Sequence, residues 1–152
     1  MPLHYLDTSA LAKRYLPEAG TDWVNALFSS EPLAISHLAM VELASALARR
    51  TREGDLTAET RDAIFRAFAA DIDQLVVLEL GPEVVQQATT MLLEAPRTVR
   101  LLSLDALHVA TARVAFARAR RRGVAAGAFV TADKDLAAAA EWAGLKLLTP
   151  EN

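Results

Sequence analysis

Four acidic residues, Asp7, Glu42, Asp105 and Asp133, are set apart from the other carboxylates of this 152-residue chain by their surroundings. Asp7 ends the apolar stretch LHYL, and Asp133 follows FVT, so each falls where a strand would stop and a helix begin. In a parallel sheet both strand ends lie on one edge, and that edge is where α/β domains place their chemistry. Glu42 and Asp105 lie in the first turn or two of long, otherwise apolar helices, with no Lys or Arg three or four positions away. A carboxylate in such company is costly to bury unless something positive meets it. A divalent cation would meet several at once. Hard oxygen ligands suit Mg²⁺ or Mn²⁺. Two such ions about 3.5–4 Å apart activate a water and stabilise the leaving oxygen in phosphodiester cleavage. Each acid also has a plain structural reading. Asp7 and Asp133 are good helix N-caps, and Asp105 is a first-turn acid that the helix dipole favours. Glu42 sits too far into its helix for that. The four together favour a metal site.

The elements that must position these acids alternate between strand and helix. Strands are expected at 3–6, 33–35, 75–80, 128–131 and 145–150. Helices are expected at about 9–16, stopped by Pro17, and from Thr21 with Trp23, Val24, Leu27 and Phe28. Further helices follow at 37–52, capped by Ser36 and closed by Gly54, at 57–72, and from Pro82. The last two run over 103–123, capped by Ser103, and 133–144, each with a glycine stop. This alternation predicts a single α/β domain over 1–152, with a mainly parallel central sheet and helices on both faces.

Composition narrows the function classes. The chain is 53% hydrophobic, enough for a sizeable core, and 23% charged. It has no cysteine, which excludes disulfides and thiolate metal sites and fits a reducing interior. Neither a basic leader with an apolar core nor an apolar run long enough for a bilayer is visible, so the expected location is cytoplasmic with no membrane partner. A formal charge of −3 argues against a protein that coats nucleic acid, but not against a nuclease whose metal ions supply positive charge.

The blocks YLDTSALAKRY, SHLAMVELASAL, LDALHVATA and VTADKDLAAAA resemble, in order, the four acidic blocks of PIN-domain proteins. They are most similar to the VapC-like toxin ribonucleases of bacterial and archaeal toxin–antitoxin pairs, over nearly the whole chain. The resemblance implies a PIN-like domain and a metal-dependent endoribonuclease. Its cofactor would be Mg²⁺ or Mn²⁺, and it would cut single-stranded regions of tRNA or ribosomal RNA. Asp7, Glu42, Asp105 and Asp133 match the catalytic, metal-binding acids. Ser9 and Thr131 match supporting hydroxyls, and Asp135 is a further candidate ligand. The expected partners are the RNA substrate, a cognate antitoxin that inhibits the enzyme, and a second copy of the chain in a homodimer. In some relatives a basic residue lies close before the third acid; here Leu101, Leu102, Ser103 and Leu104 fill that stretch, and Arg100 is nearest.

Other conspicuous residues have plainer readings. His108 shares a helical face with Asp105 and reads as a half-buried structural histidine. Arg118, Arg120, Arg121 and Arg122 read as a solvated helix C-terminus, Arg122 lying ~25 Å along the helix from Asp105. Lys13, Arg14 and Lys134 lie nearer the acids and are the candidates for steering RNA phosphates. Two rivals remain. A phosphatase using Asp7 as nucleophile would want a second Asp at position 9, where Ser9 stands. A non-catalytic RNA- or protein-binding module would not need the intact acids. No GxxxxGK[ST] loop is present, so a P-loop NTPase is unsupported.

Overall fold

In the computed structural model, which describes residues 1–151, five strands form one sheet in the order β3-β2-β1-β4-β5. They are β1 (Leu3–Leu6), β2 (Leu33–Ser36), β3 (Val76–Leu78), β4 (Ala126–Val130) and β5 (Leu147–Leu148). All four pairings are parallel, so the sheet is wholly rather than mainly parallel. Seven helices, α1 (Thr8–Tyr15), α2 (Thr21–Ser30), α3 (Leu38–Arg52), α4 (Ala58–Asp71), α5 (Pro82–Glu94), α6 (Ser103–Arg121) and α7 (Lys134–Trp142), make the crossovers. A short 3-10 turn, Ile72–Gln74, links α4 to β3.

The sheet divides two cores because successive strand side chains point to opposite faces. Tyr5, Ala34 and Phe129 pack with Val84, Met91, Val109 and Leu136 of α5, α6 and α7. Leu6, Ile35 and Val130 pack with Leu11, Val24, Leu43 and Phe68 of α1 to α4. Helices therefore cover both faces, as a parallel sheet requires. Three expected strands are shorter than the sequence pattern suggests or shifted: β3 stops at Leu78, β4 starts at Ala126, and β5 is only Leu147–Leu148. β3 and β5 lie at the sheet edges, where each strand has one neighbour to pair with.

The strand order reverses at β1. One crossover path leaves it for β2 and β3, the other side holds β4 and β5, and the gap between the two paths opens at the carboxyl ends of β1 and β4. Pairing of β1 with β4 carries a register shift between Leu3 and Tyr5. Gly127 makes it possible: a Cβ there would stand 2.5 Å from His4 Nδ1 and 2.7 Å from the Leu3 carbonyl oxygen. His4 fills the irregularity, its Nδ1 accepting the Ala128 N–H at 2.9 Å. Past the shift, Asp7 N–H donates to the Val130 carbonyl at 3.1 Å, which brings the ends of β1 and β4 side by side.

Candidate active site

Asp7 is both a cap and the centre of a polar cluster, so its two sequence readings are not alternatives. It is the N-cap of α1, accepting the Ala10 N–H at 2.9 Å. It is almost fully buried, with 2% of its surface exposed. The Ser9 hydroxyl donates to both its oxygens at 2.8 Å, and the Thr131 hydroxyl to Oδ2 at 2.6 Å. Each oxygen thus takes two contacts, with the Ser9 proton shared between them, so the carboxylate is held by three protons on both sides. All three donors are neutral. Burial pushes the Asp7 carboxyl above its ordinary range, against the opposing pull of Thr131, Ala10, His108 and Ser9.

Ser9 and Thr131 tie the two strand ends together. Ser9 Oγ accepts the Ala132 N–H at 3.0 Å, and Thr131 Oγ1 accepts the Asp133 N–H at 3.0 Å. Asp133 then caps α7, its Oδ1 accepting the N–H groups of Asp135 and Leu136. Asp105 is the third residue of α6 and reaches back with Oδ2 to the Leu102 N–H at 3.2 Å. The N-cap of α6 is therefore Leu102 rather than Ser103, which is the first helical residue, and Asp105 performs the end-capping that a Ser103 hydroxyl was expected to provide. Burial raises the Asp105 carboxyl, Leu102 N–H opposes it, and the charges of Asp133 and Asp135 raise it further.

Glu42 gets its partner from another helix. His108 Nε2 lies 2.5 Å from Glu42 Oε1, and the Thr8 hydroxyl donates to the same oxygen at 2.7 Å. His108 Nδ1 lies 2.7 Å from the Tyr5 hydroxyl. Burial holds Tyr5 protonated, so its O–H donates to Nδ1 and leaves Nε2–H to donate to Glu42. Burial alone would raise the Glu42 carboxyl, but the His108 and Thr8 hydrogen bonds overcome it and leave the group below its ordinary range. His108, expected to be half-buried and structural, is 3% exposed and orients Glu42. Sequence reasoning missed Thr8 and Tyr5. The hydroxyl directly after Asp7 was the available signal for Thr8; nothing local marks Tyr5.

A pattern runs through three of the acids. Glu42 Oε1, Asp105 Oδ2 and Asp133 Oδ1 are each pinned by protein donors, while Glu42 Oε2, Asp105 Oδ1 and Asp133 Oδ2 have no protein partner among the described residues. None of these acids pairs with Lys or Arg among those residues. Asp135 differs, lying 3.6 Å from Arg100. The free donors are all carboxylate oxygens, a hard set that fits Mg²⁺ or Mn²⁺. No group of three or more potential ligands stands close enough to enclose an ion among the described residues. Mg²⁺ does not require one, since it commonly takes one or two carboxylates and completes its shell with waters and substrate phosphates.

The three candidate phosphate-steering cations divide. Lys13 Nζ donates to the Ala19 carbonyl at 2.7 Å and lies 3.6 Å from Glu18. Arg14 is locked between helices: Nε donates to Asp71 at 2.9 Å, Nη1 donates to Asn25 at 3.0 Å, and the guanidinium lies 4.2 Å from the Phe28 ring centroid. Both are engaged in holding α1 in place. Lys134, beside Asp133, is exposed and has no such partner among the described residues.

The sequence pattern of the PIN domain matches residues 4–141 of the chain. Solved structures share the architecture at low sequence identity. FitAcB of Neisseria gonorrhoeae superposes with a TM-score of 0.68 at 16% identity, covering 97% of each chain. VapBC2 of Rickettsia felis, solved with a DNA fragment from its promoter, gives 0.63 at 13%, over 97% of this chain and 98% of that one. VapC20 of Mycobacterium tuberculosis, a sarcin–ricin loop cleaving toxin, gives 0.62 at 20%, over 90% of this chain and 94% of that one. Comparison with curated proteins gives no match.

Proposed function

The chain belongs to the PIN-domain family, and from that premise we propose that it is a divalent-metal-dependent endoribonuclease toxin restrained by a cognate antitoxin. One observation carries the proposal. Glu42, Asp105 and Asp133 each present a pinned carboxylate with one oxygen unpaired among the described residues, and Asp7 lies buried at the β1–β4 edge. Here free acceptor capacity is held in place by donors that add almost no positive charge. Asp7, Glu42, Asp105 and Asp133 would hold Mg²⁺ or Mn²⁺, with Asp135 in reserve behind its Arg100 contact. When bound, such an ion activates a water and stabilises the leaving oxygen of a phosphodiester. The protein's own share is orientation. Ser9 and Thr131 fix the Asp7 carboxylate, and the Tyr5–His108–Thr8 chain fixes Glu42. Lys134, exposed beside Asp133, would meet a substrate phosphate.

The toxins of known structure that share this fold support the ribonuclease reading, one of them a sarcin–ricin loop cleaving toxin; the substrate we propose is a single-stranded region of RNA of the tRNA or rRNA class. The VapBC assembly supports an antitoxin partner. The groove between α3 and α4, where Ala44, Leu47, Ala48 and Phe65 are flanked by Arg61, Asp62 and Arg66, would be a mixed apolar and charged seat for it, and a homodimer is the expected state of the free toxin. A phosphatase gains nothing from the geometry, because Ser9 spends its hydroxyl on Asp7. The test is cleavage of a short single-stranded RNA by chelated protein with Mg²⁺ or Mn²⁺ added back. Activity should return with the metal and fall when the co-expressed neighbouring gene product is bound. Full activity in excess chelator, or none with either metal, would refute the proposal.

A further inference from the structure

Of the basic side chains nearest the acids, only Lys134 is free among the described residues; Lys13 is engaged with Ala19 and Glu18, Arg14 with Asp71 and Asn25, and Arg100 with Asp135. Two arginines farther along α6 are not. Arg113 and Arg120 are exposed and have no ion pair or side-chain hydrogen bond among the described residues. They line an open cleft of about 300 Å³ with Gln87 of α5 and the Ala143–Leu145 turn after α7. Gln87 Oε1 is buried behind the cleft wall without a hydrogen-bond partner among the described residues.

The cleft lies on a line that starts at the acids. Both α6 and α7 begin at the acid edge, with Asp105 in the first turn of one and Asp133 capping the other. Since α6 leads into β4 and α7 leads out of it, both run away from that edge, antiparallel to the strands. Arg113 and Arg120 follow Asp105 by eight and fifteen residues, which places them roughly 12 and 22 Å down the helix and within about 60–80° of its direction around the axis. Arg121 and Arg122 fall well outside that sector, and Arg122 lines a separate pocket near Val76 and Val124. An exposed guanidinium with no protein acid beside it suits a phosphate, to which it can donate in bidentate fashion.

We propose that the α5–α6–α7 cleft holds the backbone of single-stranded RNA flanking the cleaved bond, with Arg113 and Arg120 each contacting one phosphate. This rests on the ribonuclease reading of the acids, and it moves the RNA path from α1 to α6. The arginines are positioning residues, remote from the reacting atoms.

The experiment is binding of a fluorescently labelled single-stranded RNA across a sodium chloride series, in excess chelator so that nothing is cut. Each phosphate contact on a single strand contributes about 0.7 to the slope of log affinity against log salt. Arg113→Ala with Arg120→Ala should therefore flatten the slope by about 1.4. Arg113→Lys with Arg120→Lys should keep it. Arg121→Ala with Arg122→Ala should leave it unchanged, and melting curves should show all three folded. An unchanged slope in the first pair, or an equal fall in the Arg121 and Arg122 pair, overturns the proposal. A parallel cleavage assay with added metal separates the two ideas. If wild type cleaves and the slope does not respond, the cleft fails alone. If the slope responds and wild type does not cleave, the ribonuclease reading fails and the cleft stands.

Discussion

Asp7 and Asp71 are both helix-end carboxylates held by side-chain donors, and they are opposites. Asp71 ends α4, the end where the helix dipole disfavours an anion. Arg14 and the Tyr15 hydroxyl meet the same Asp71 oxygen at 2.9 and 2.7 Å. Burial raises the Asp71 carboxyl, but the Arg14 and Tyr15 bonds outweigh it and the group lies below its ordinary range. Asp7 stands at the favourable end of α1, yet its hydrogen bonds come from neutral donors and it is raised. The lesson concerns what a buried charge is for. Where a cation is in reach the pair is self-contained and serves packing. Where only neutral donors are supplied, the charge is left uncompensated within the chain, and the acid is relieved by a proton or, in the proposed function, by a bound cation.

Replacing Asp7 should break the comparison most visibly. Loss of an outer-shell partner of a metal ligand costs about 10–100-fold in activity, and loss of a ligand costs more. Asp7→Asn should lower RNA cleavage more than about 100-fold. The fold should survive, because Asn is as good an N-cap as Asp and the buried charge is gone. The measurement is cleavage rate beside a melting curve in chelator. A variant that loses its fold along with its activity would make Asp7 a structural acid like Asp71.

Much of this was legible in the chain. Pro17, Gly54 and Pro82 punctuate helices whose apolar spacing gave their limits within a residue or two, and apolar runs before Asp7 and Asp133 marked two strand ends. The acids were legible for the same local reason. Their partners were not. His108 is 66 residues from Glu42, and Asp71 is 57 from Arg14, so neither pairing leaves a trace in local spacing. Proximity in sequence to Asp7 made Lys13 and Arg14 look like substrate contacts. Only tertiary placement shows that α2, α4 and the turn before α2 already hold them.

Arg14 sharpens the other side of the comparison. Arg14→Ala leaves Asp71 with only the neutral Tyr15 hydroxyl at the dipole's unfavourable end, uncovers Phe28 and loosens α1 from α4. The pair is partly buried, with side chains 27% and 19% exposed, so the cost should fall between that of a surface pair and a buried one, on the order of 2 kcal/mol. For a chain of this size that is a fall of about 4–8 °C in melting temperature. The salt slope of RNA binding should move much less than in the Arg113 and Arg120 variant. A slope flattened without loss of melting temperature would return Arg14 to the RNA path.

The smallest expected effect separates the two kinds of acid by sign. Asp105 is raised by burial and by the charges of Asp133 and Asp135, so its ionised form destabilises the metal-free fold. A raised carboxyl imposes that penalty above its folded pKa and sheds it as pH falls toward the unfolded value, about 3.9. Asp105→Asn, which keeps an oxygen for the Leu102 N–H, should therefore melt at or about 1–3 °C above wild type at neutral pH in chelator, the gain fading on acidification. Asp71 is lowered, so its stabilisation is present above the unfolded value and lost as pH falls through the folded one. Asp71→Asn should melt below wild type at neutral pH, with that deficit fading on acidification. Added Mg²⁺ or Mn²⁺ should then reverse the order for Asp105 alone, because an ion that binds only the native state stabilises wild type by mass action. If Asp105→Asn melts well below wild type in chelator, Asp105 is a structural cap of α6 and the free oxygen it presents has no functional meaning.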